Sequence, residues 1–235
     1  MGVRILMVEG NNDQHVMWNL FRLLPESRRI FVCKPGDKPD FEELGEVKLG
    51  SSKGGGADGD TELLKSIPAR LDTSDLERLA VVIDSDAKGP KARWNAIRQQ
   101  LKNEGYEIST EDPSREGTIL ELPSVNGRKP LRFGVWIMPD NQSEGMLEDF
   151  VAGMIRDGDD VLPLVDGFLE SIRKPRFSRT HKPKARIHSW LAVQKEPGGP
   201  MGRAIAGDYL DTELPVAKSF LDWINNALIT DGNLP

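Results

Sequence analysis

"VVIDSDAKGP", residues 81–90, is an apolar run that ends in two aspartates one residue apart and breaks at once into Gly89 and Pro90. The apolar half reads as a strand buried on both faces, as in the middle of a parallel sheet. The acidic half poses a problem of charge. Carboxylates about 5 Å apart repel by roughly 3 kcal/mol at an effective dielectric of about 20. A cation, a proton or full exposure to water has to offset that. On an extended backbone alternate side chains share a face, so Asp84 and Asp86 are expected to point together at one cation while Ser85 turns away.

The same strand-then-helix pattern recurs on both sides of this stretch. Residues 3–8 (VRILMV) read as a buried strand, and 12–24 as a helix with Val16, Leu20 and Leu24 at helical spacing. Residues 29–33 (RIFVC) predict a second strand, and 34–59 an irregular stretch rich in Gly, Pro and Asp with a short strand at 46–49. A helix is expected over 60–71, a strand over 78–83, and then a helix through Trp94, Ile97 and Leu101. Residues 117–123 and 131–137 flank "SVNGRKP", whose Asn-Gly pair predicts a hairpin. Beyond 143 the pattern is helical, over 144–156, 161–173, 184–194, 201–209 and 215–229. This alternation predicts an α/β fold: a mainly parallel sheet with an added hairpin, helices on both faces, and a helical C-terminal part.

The 235 residues suffice for one large domain, and 38% hydrophobic content allows a sizeable core. A single cysteine, Cys33, excludes a disulfide framework and a thiolate-cage zinc site within one chain, which fits a reducing compartment. No segment reaches the roughly 18 apolar residues of a membrane span. The opening MGVRILMVEG is too short for a signal-peptide core, and Leu6 stands where a myristoylation motif needs Ser or Thr. The expectation is a cytoplasmic protein without a membrane partner. A net charge of −6 argues against non-specific coating of nucleic acid, although local patches decide phosphate contacts.

In open α/β sheets the ligand site lies at the carboxyl ends of the strands. Three strands end there in acid: Glu9 in "LMVEGNND", Asp84 and Asp86 in "VIDSDAKG", and Asp140 in "VWIMPDNQSEGMLED". Any one of them alone reads as a solvated strand end or a helix cap. Gathered on one edge beside glycine turns, they are a candidate site for a hard cation such as Mg²⁺ or Mn²⁺.

"VEGNND" after the first strand and "DSDAKG" after a later one resemble the two signature motifs of the Toprim domain. That domain serves topoisomerases, bacterial primases, small ribosomal-RNA maturases and the overcoming-lysogenisation-defect nucleases. "MPDNQSEGMLEDF" and "KARIHSWLAVQ" are similar to an uncharacterised family of small stand-alone Toprim-like bacterial proteins related to those nucleases. The resemblance spans nearly the whole chain. It implies a Rossmann-like core over residues 1–156, with a helical extension over 157–235 packed on it as one compact unit. It assigns Glu9 as catalytic acid, base or metal ligand, and Asp84 and Asp86 as the Mg²⁺-binding Asp-x-Asp. Asp13 and Glu148 match further acids that the nuclease branch uses near metal. Lys184, in the "KAR" block, matches a cation that neutralises a transition-state phosphate. Asp140 joins the metal set by its place at a strand end. The 75 positions from Glu9 to Asp84 exceed the spacing of a minimal Toprim core, and the irregular segment accounts for the excess.

Other signals are weaker. "KGGGADGD" lacks the Gly-Lys-Ser/Thr ending of a P-loop and reads as a surface loop. "RKPRFSRTHKPKARIH", residues 173–188, holds seven Lys or Arg and reads as a nucleic-acid contact surface or as a solvated linker. His15 and Cys33 read as structural. A topoisomerase is excluded for want of a strand-passage tyrosine and its further domains, and a primase is disfavoured for want of template-binding domains. A haloacid-dehalogenase phosphatase wants Thr or Val where Lys88 stands. Two expectations remain. One is Mg²⁺-dependent phosphodiester chemistry on nucleic acid, a nuclease. The other is a non-catalytic Toprim-like module that binds nucleic acid or nucleotide with a protein partner; oligomeric state stays open.

Overall fold

The structure is a computed structural model, and it describes residues 2–24, 30–37, 48–49 and 59–230. Most of the irregular stretch 34–59 and of the glycine-rich loop therefore lies outside the described residues, as do residues 25–29 and 231–235. Six strands form one sheet: β1 (Val3–Met7), β2 (Ile30–Cys33), β3 (Lys48–Leu49), β4 (Leu76–Asp84), β5 (Thr118–Leu122) and β6 (Leu131–Met138). Their order is β3-β2-β1-β4-β6-β5, parallel throughout except for β5, which pairs antiparallel with β6. The turn between β5 and β6 carries positive φ at both Asn126 and Gly127, as a type I′ hairpin turn requires.

The continuous apolar strands divide by residue parity into two cores. Ile5, Met7, Leu79, Val81, Ile83 and Phe133 face one side, under α2 (Asp60–Leu71) and α3 (Gly89–Asn103). Leu6, Val8, Ala80, Val82, Trp136 and Met138 face the other. That second face takes α1 (Asn11–Phe21), α4 (Leu147–Ala152), α5 (Leu162–Ser171), α6 (Lys182–Leu191), α7 (Met201–Ala206) and α8 (Pro215–Ile224). Helices beyond residue 157 bury Val165, Ile187, Trp190, Phe220 and Trp223 in the same cluster as the sheet, so the C-terminal part shares the core of the N-terminal part.

The segment that follows α8 is fixed by a row of arginines. Arg4, Arg78 and Arg132 are register partners on three adjacent strands. A one-turn π-helix (Asn225–Ile229) continues α8, and the three guanidiniums donate to carbonyls within it and just past it: Arg4 to Ile229 O (3.1 Å), Arg78 to Thr230 O (2.7 Å) and Arg132 to Asn226 O (3.0 Å). Carbonyls at a helix C-terminus lack partners and carry partial negative charge, so cations there are stabilising. Gly134 lets this segment lie flat on β6, because a Cβ there would meet Ala227 Cβ at 2.9 Å.

Candidate active site

β1 leads through α1 to β2 on one side of it, while β4 leads through α3 towards β6 on the other. The crevice between the carboxyl ends of β1 and β4 is thus the point where strand order diverges, and in open α/β sheets ligands bind there. Glu9 and Asp84 stand on its two sides. The Asp84 backbone N–H donates to Glu9 Oε1 at 2.7 Å, and the Leu147 N–H at the start of α4 donates to Asp84 Oδ1 at 2.9 Å. Two carboxylates are thereby aimed by backbone groups, which hold them more firmly than side chains would.

Asp13, in the first turn of α1, and Glu148, in the first turn of α4, complete the group, and both are buried. Lys184 in α6 brings its Nζ to 3.8 Å from Glu148 Oε1. These five side chains line one cleft of about 460 Å³, together with residues 10–12 and Gly59. Among the described residues, four carboxylates thus face a single lysine. Burial pushes the Glu9 carboxyl up to about 7; the Asp84 N–H opposes this, and Asp13 reinforces it. Burial also pushes Asp13 up to about 7, with its own backbone N–H opposing and Glu148 adding to the rise. Asp84 lies well above the usual carboxylate range, through burial first and then the charges of Glu9, Asp13 and Glu148.

The structure brings together Glu9, Asp13, Asp84, Glu148 and Lys184 and leaves Asp86 and Asp140 outside the group. The expectation that Asp84 and Asp86 share a face fails because the strand ends at Asp84. Asp86 adopts a left-handed backbone, φ 49°, with its N–H bonded to Gly145 O at 2.8 Å. The turn carries its carboxylate to the α3 side, where Arg93 Nη2 donates to Oδ2 at 2.6 Å. Ser85 is buried and donates its hydroxyl to Ser143 O at 2.9 Å, tying the strand tip to the loop before α4. Asp140 is consumed by its own loop, accepting from Gln142 N (3.0 Å), Ser143 N (2.7 Å) and Ser143 Oγ (2.9 Å).

Arg93 and Asp60 were not singled out from the sequence. Arg93 is buried between Asp86 and Asp60, and Lys88 also donates to Asp60 at 3.0 Å. Burial works to raise Asp60, but the hydrogen bonds from Arg93 and Lys88 outweigh it and hold the carboxyl below the usual range. A signal existed: Arg93, Ile97 and Leu101 recur every fourth residue, which places an arginine on the buried stripe of α3.

The donor set fits a hard cation: every side chain in the group except Lys184 offers carboxylate oxygen, and burial with mutual repulsion raises the proton affinity of Glu9, Asp13 and Asp84. Among the described residues no three His, Cys, Asp or Glu side chains close on one point as an all-protein metal cage. Mg²⁺ sites commonly use only one or two carboxylates with waters and substrate phosphate, and Glu9 and Asp84 are the two carboxylates that could serve so here. In the basic segment, Arg186 is committed to Asp166 through two bonds of 2.6 and 2.8 Å, while Arg173, Lys174, Arg176, Arg179, Lys182 and Lys184 are exposed. Among the described residues no helix is long and apolar enough to cross a membrane.

Fold and cleft together define an α/β protein with an acidic crevice at the switch point of its sheet. The chain belongs to the family described as "Protein of unknown function (DUF3226)", whose family model matches residues 3–229. Comparison with curated proteins finds no match, and neither does comparison with solved structures.

Proposed function

We propose that this protein is a divalent-cation-dependent phosphodiesterase acting on nucleic acid, a nuclease of Toprim type. The observation that carries the reading is the Glu9–Asp84 pair, each carboxylate fixed by a backbone N–H at the sheet's switch point. Glu9 and Asp84 would hold the cation, with Asp13 and Glu148 beside them. When bound, Mg²⁺ or Mn²⁺ polarises a phosphoryl oxygen and lowers the pKa of a coordinated water. Glu9, pushed up to about 7, is suited to exchange a proton near neutral pH. Lys184 offers the charge that a phosphate in the cleft would meet, and the exposed arginines and lysines from 173 to 182 would carry the flanking phosphates.

The test compares wild type with Glu9→Gln, which keeps the shape of the side chain and removes its charge and basicity. Labelled single- and double-stranded DNA and RNA are followed for cleavage and for binding, with Mg²⁺ or Mn²⁺. Cleavage should fall by about 10²- to 10⁴-fold while binding is retained. Binding by wild type without cleavage of any substrate would favour a non-catalytic module instead.

A further inference from the structure

We propose that Arg93 is a positioning residue of this site: locked between Asp60 and Asp86, it keeps Asp86 away from the cation that Glu9 and Asp84 bind and thereby sets how tightly that cation is held. The inference rests on the reading of the cleft as a divalent-cation site.

The Arg93 side chain is only 3% exposed, and arginine is almost never so buried unless it is paired. Nη1 donates to Asp60 and Nη2 to Asp86, while Nε is buried with no acceptor. Among the described residues these two carboxylates therefore orient the guanidinium. Asp86 is less constrained than Arg93, since its side chain is 42% exposed, and it lies near enough to the crevice for its charge to act on both Glu9 and Asp84. Its backbone cannot drift, being pinned to Gly145 O and set left-handed. Among the described residues no second cation bonds Asp86. Without Arg93, an unpaired carboxylate would stand two residues from Asp84, beside a cleft that already holds four. The charge of Arg93 also reaches Glu9, where it opposes the upward push of burial.

A purely structural pin between α2 and α3 would predict lost stability with unchanged cation binding. The two roles separate when Mn²⁺ binding to the full chain is titrated at fixed ionic strength, alongside thermal melts. The variants are Arg93→Gln, Arg93→Lys, Asp86→Asn and the Arg93→Gln/Asp86→Asn pair. Arg93→Gln should bind Mn²⁺ at least about fivefold more tightly, because one positive charge is lost within a Debye length and one carboxylate is freed. The double variant should lose most of that gain, a coupling expected of side chains in direct contact. Arg93→Lys, able to reach only one carboxylate at a time, should fall between wild type and Arg93→Gln. Asp86→Asn should weaken Mn²⁺ by no more than about threefold, the effect of a distant charge and not of a lost ligand. A folded Arg93→Gln with wild-type affinity overturns the proposal. So does an Asp86→Asn loss beyond about tenfold, which decides the matter even if Arg93→Gln fails to fold. Absence of Mn²⁺ binding by wild type would remove the cation reading itself, and this proposal with it.

Discussion

Asp84 and Asp86 stand one residue apart, yet their carboxylates leave the strand on opposite sides of the sheet. Asp84 accepts from Leu147 on the α4 side, and Asp86 accepts from Arg93 on the α3 side. The left-handed backbone at Asp86 makes the division. One acid of the pair is thereby given to the cleft and the other to a buried arginine, which offsets part of a repulsion that still reaches Asp84 and Glu9.

The first prediction concerns pH and metal. Glu9 rises from an ordinary 4.5, and Asp13 from 3.8, each to about 7. Their folded values exceed the unfolded ones, so the folded protein holds more protons between those limits. Stability from these groups is full below the unfolded values and is lost as pH rises towards 7. Metal-free protein should therefore lose melting temperature from pH 5 to 7.5, and Mg²⁺ should restore it at pH 7.5 but hardly act at pH 5. At a hundredfold excess over Kd the gain is about 2.7 kcal/mol, roughly 5–10 °C. An equal Mg²⁺ effect at both values would contradict the carboxylate site.

Much of this arrangement is legible in the sequence. The continuous apolar runs give the parallel strands, Asn126-Gly127 gives the hairpin turn, and strand-end acids give Glu9 and Asp84. Reading fails where local geometry overrides periodicity. Alternation extended past Asp84 assumes a strand that the turn at Asp86 has already ended. Asp140 sits at a strand end as expected, but short polar side chains readily bond their own backbone, and the Gln142 and Ser143 amides claim it. Helix boundaries shift for similar reasons: the 144–156 segment keeps only Leu147–Ala152 as α-helix.

The basic segment yields a second prediction. Replacing Arg173, Lys174, Arg176 and Arg179 with Ala should weaken nucleic-acid binding and flatten its logarithmic salt dependence by up to about 3–4 units on duplex DNA. Arg186→Ala should instead act on stability, since its guanidinium is committed to Asp166. A slope unchanged in the quadruple variant would make the segment a solvated linker. Filter binding across a salt series reads the slope, and a thermal melt reads the Arg186 effect.

A third prediction tests the seat of the C-terminal helix. Gly134→Ala adds a Cβ within 2.9 Å of Ala227 Cβ and 3.1 Å of Trp223. Overpacking of this kind costs about 1–3 kcal/mol, measurable by urea denaturation. No loss of stability would mean that the helix lies farther from β6 than described.

The central claim is that Glu9 and Asp84 hold one divalent cation at the switch point of the sheet. It is tested most directly by growing crystals of the protein, soaking them in Mn²⁺ and measuring anomalous scattering. The account predicts a peak between the Glu9 and Asp84 carboxylates, at coordinating distance from both, with Asp86 still bound to Arg93. A well-diffracting soaked crystal with no peak there, or with its peak at Asp86 or Asp140 instead, would contradict it.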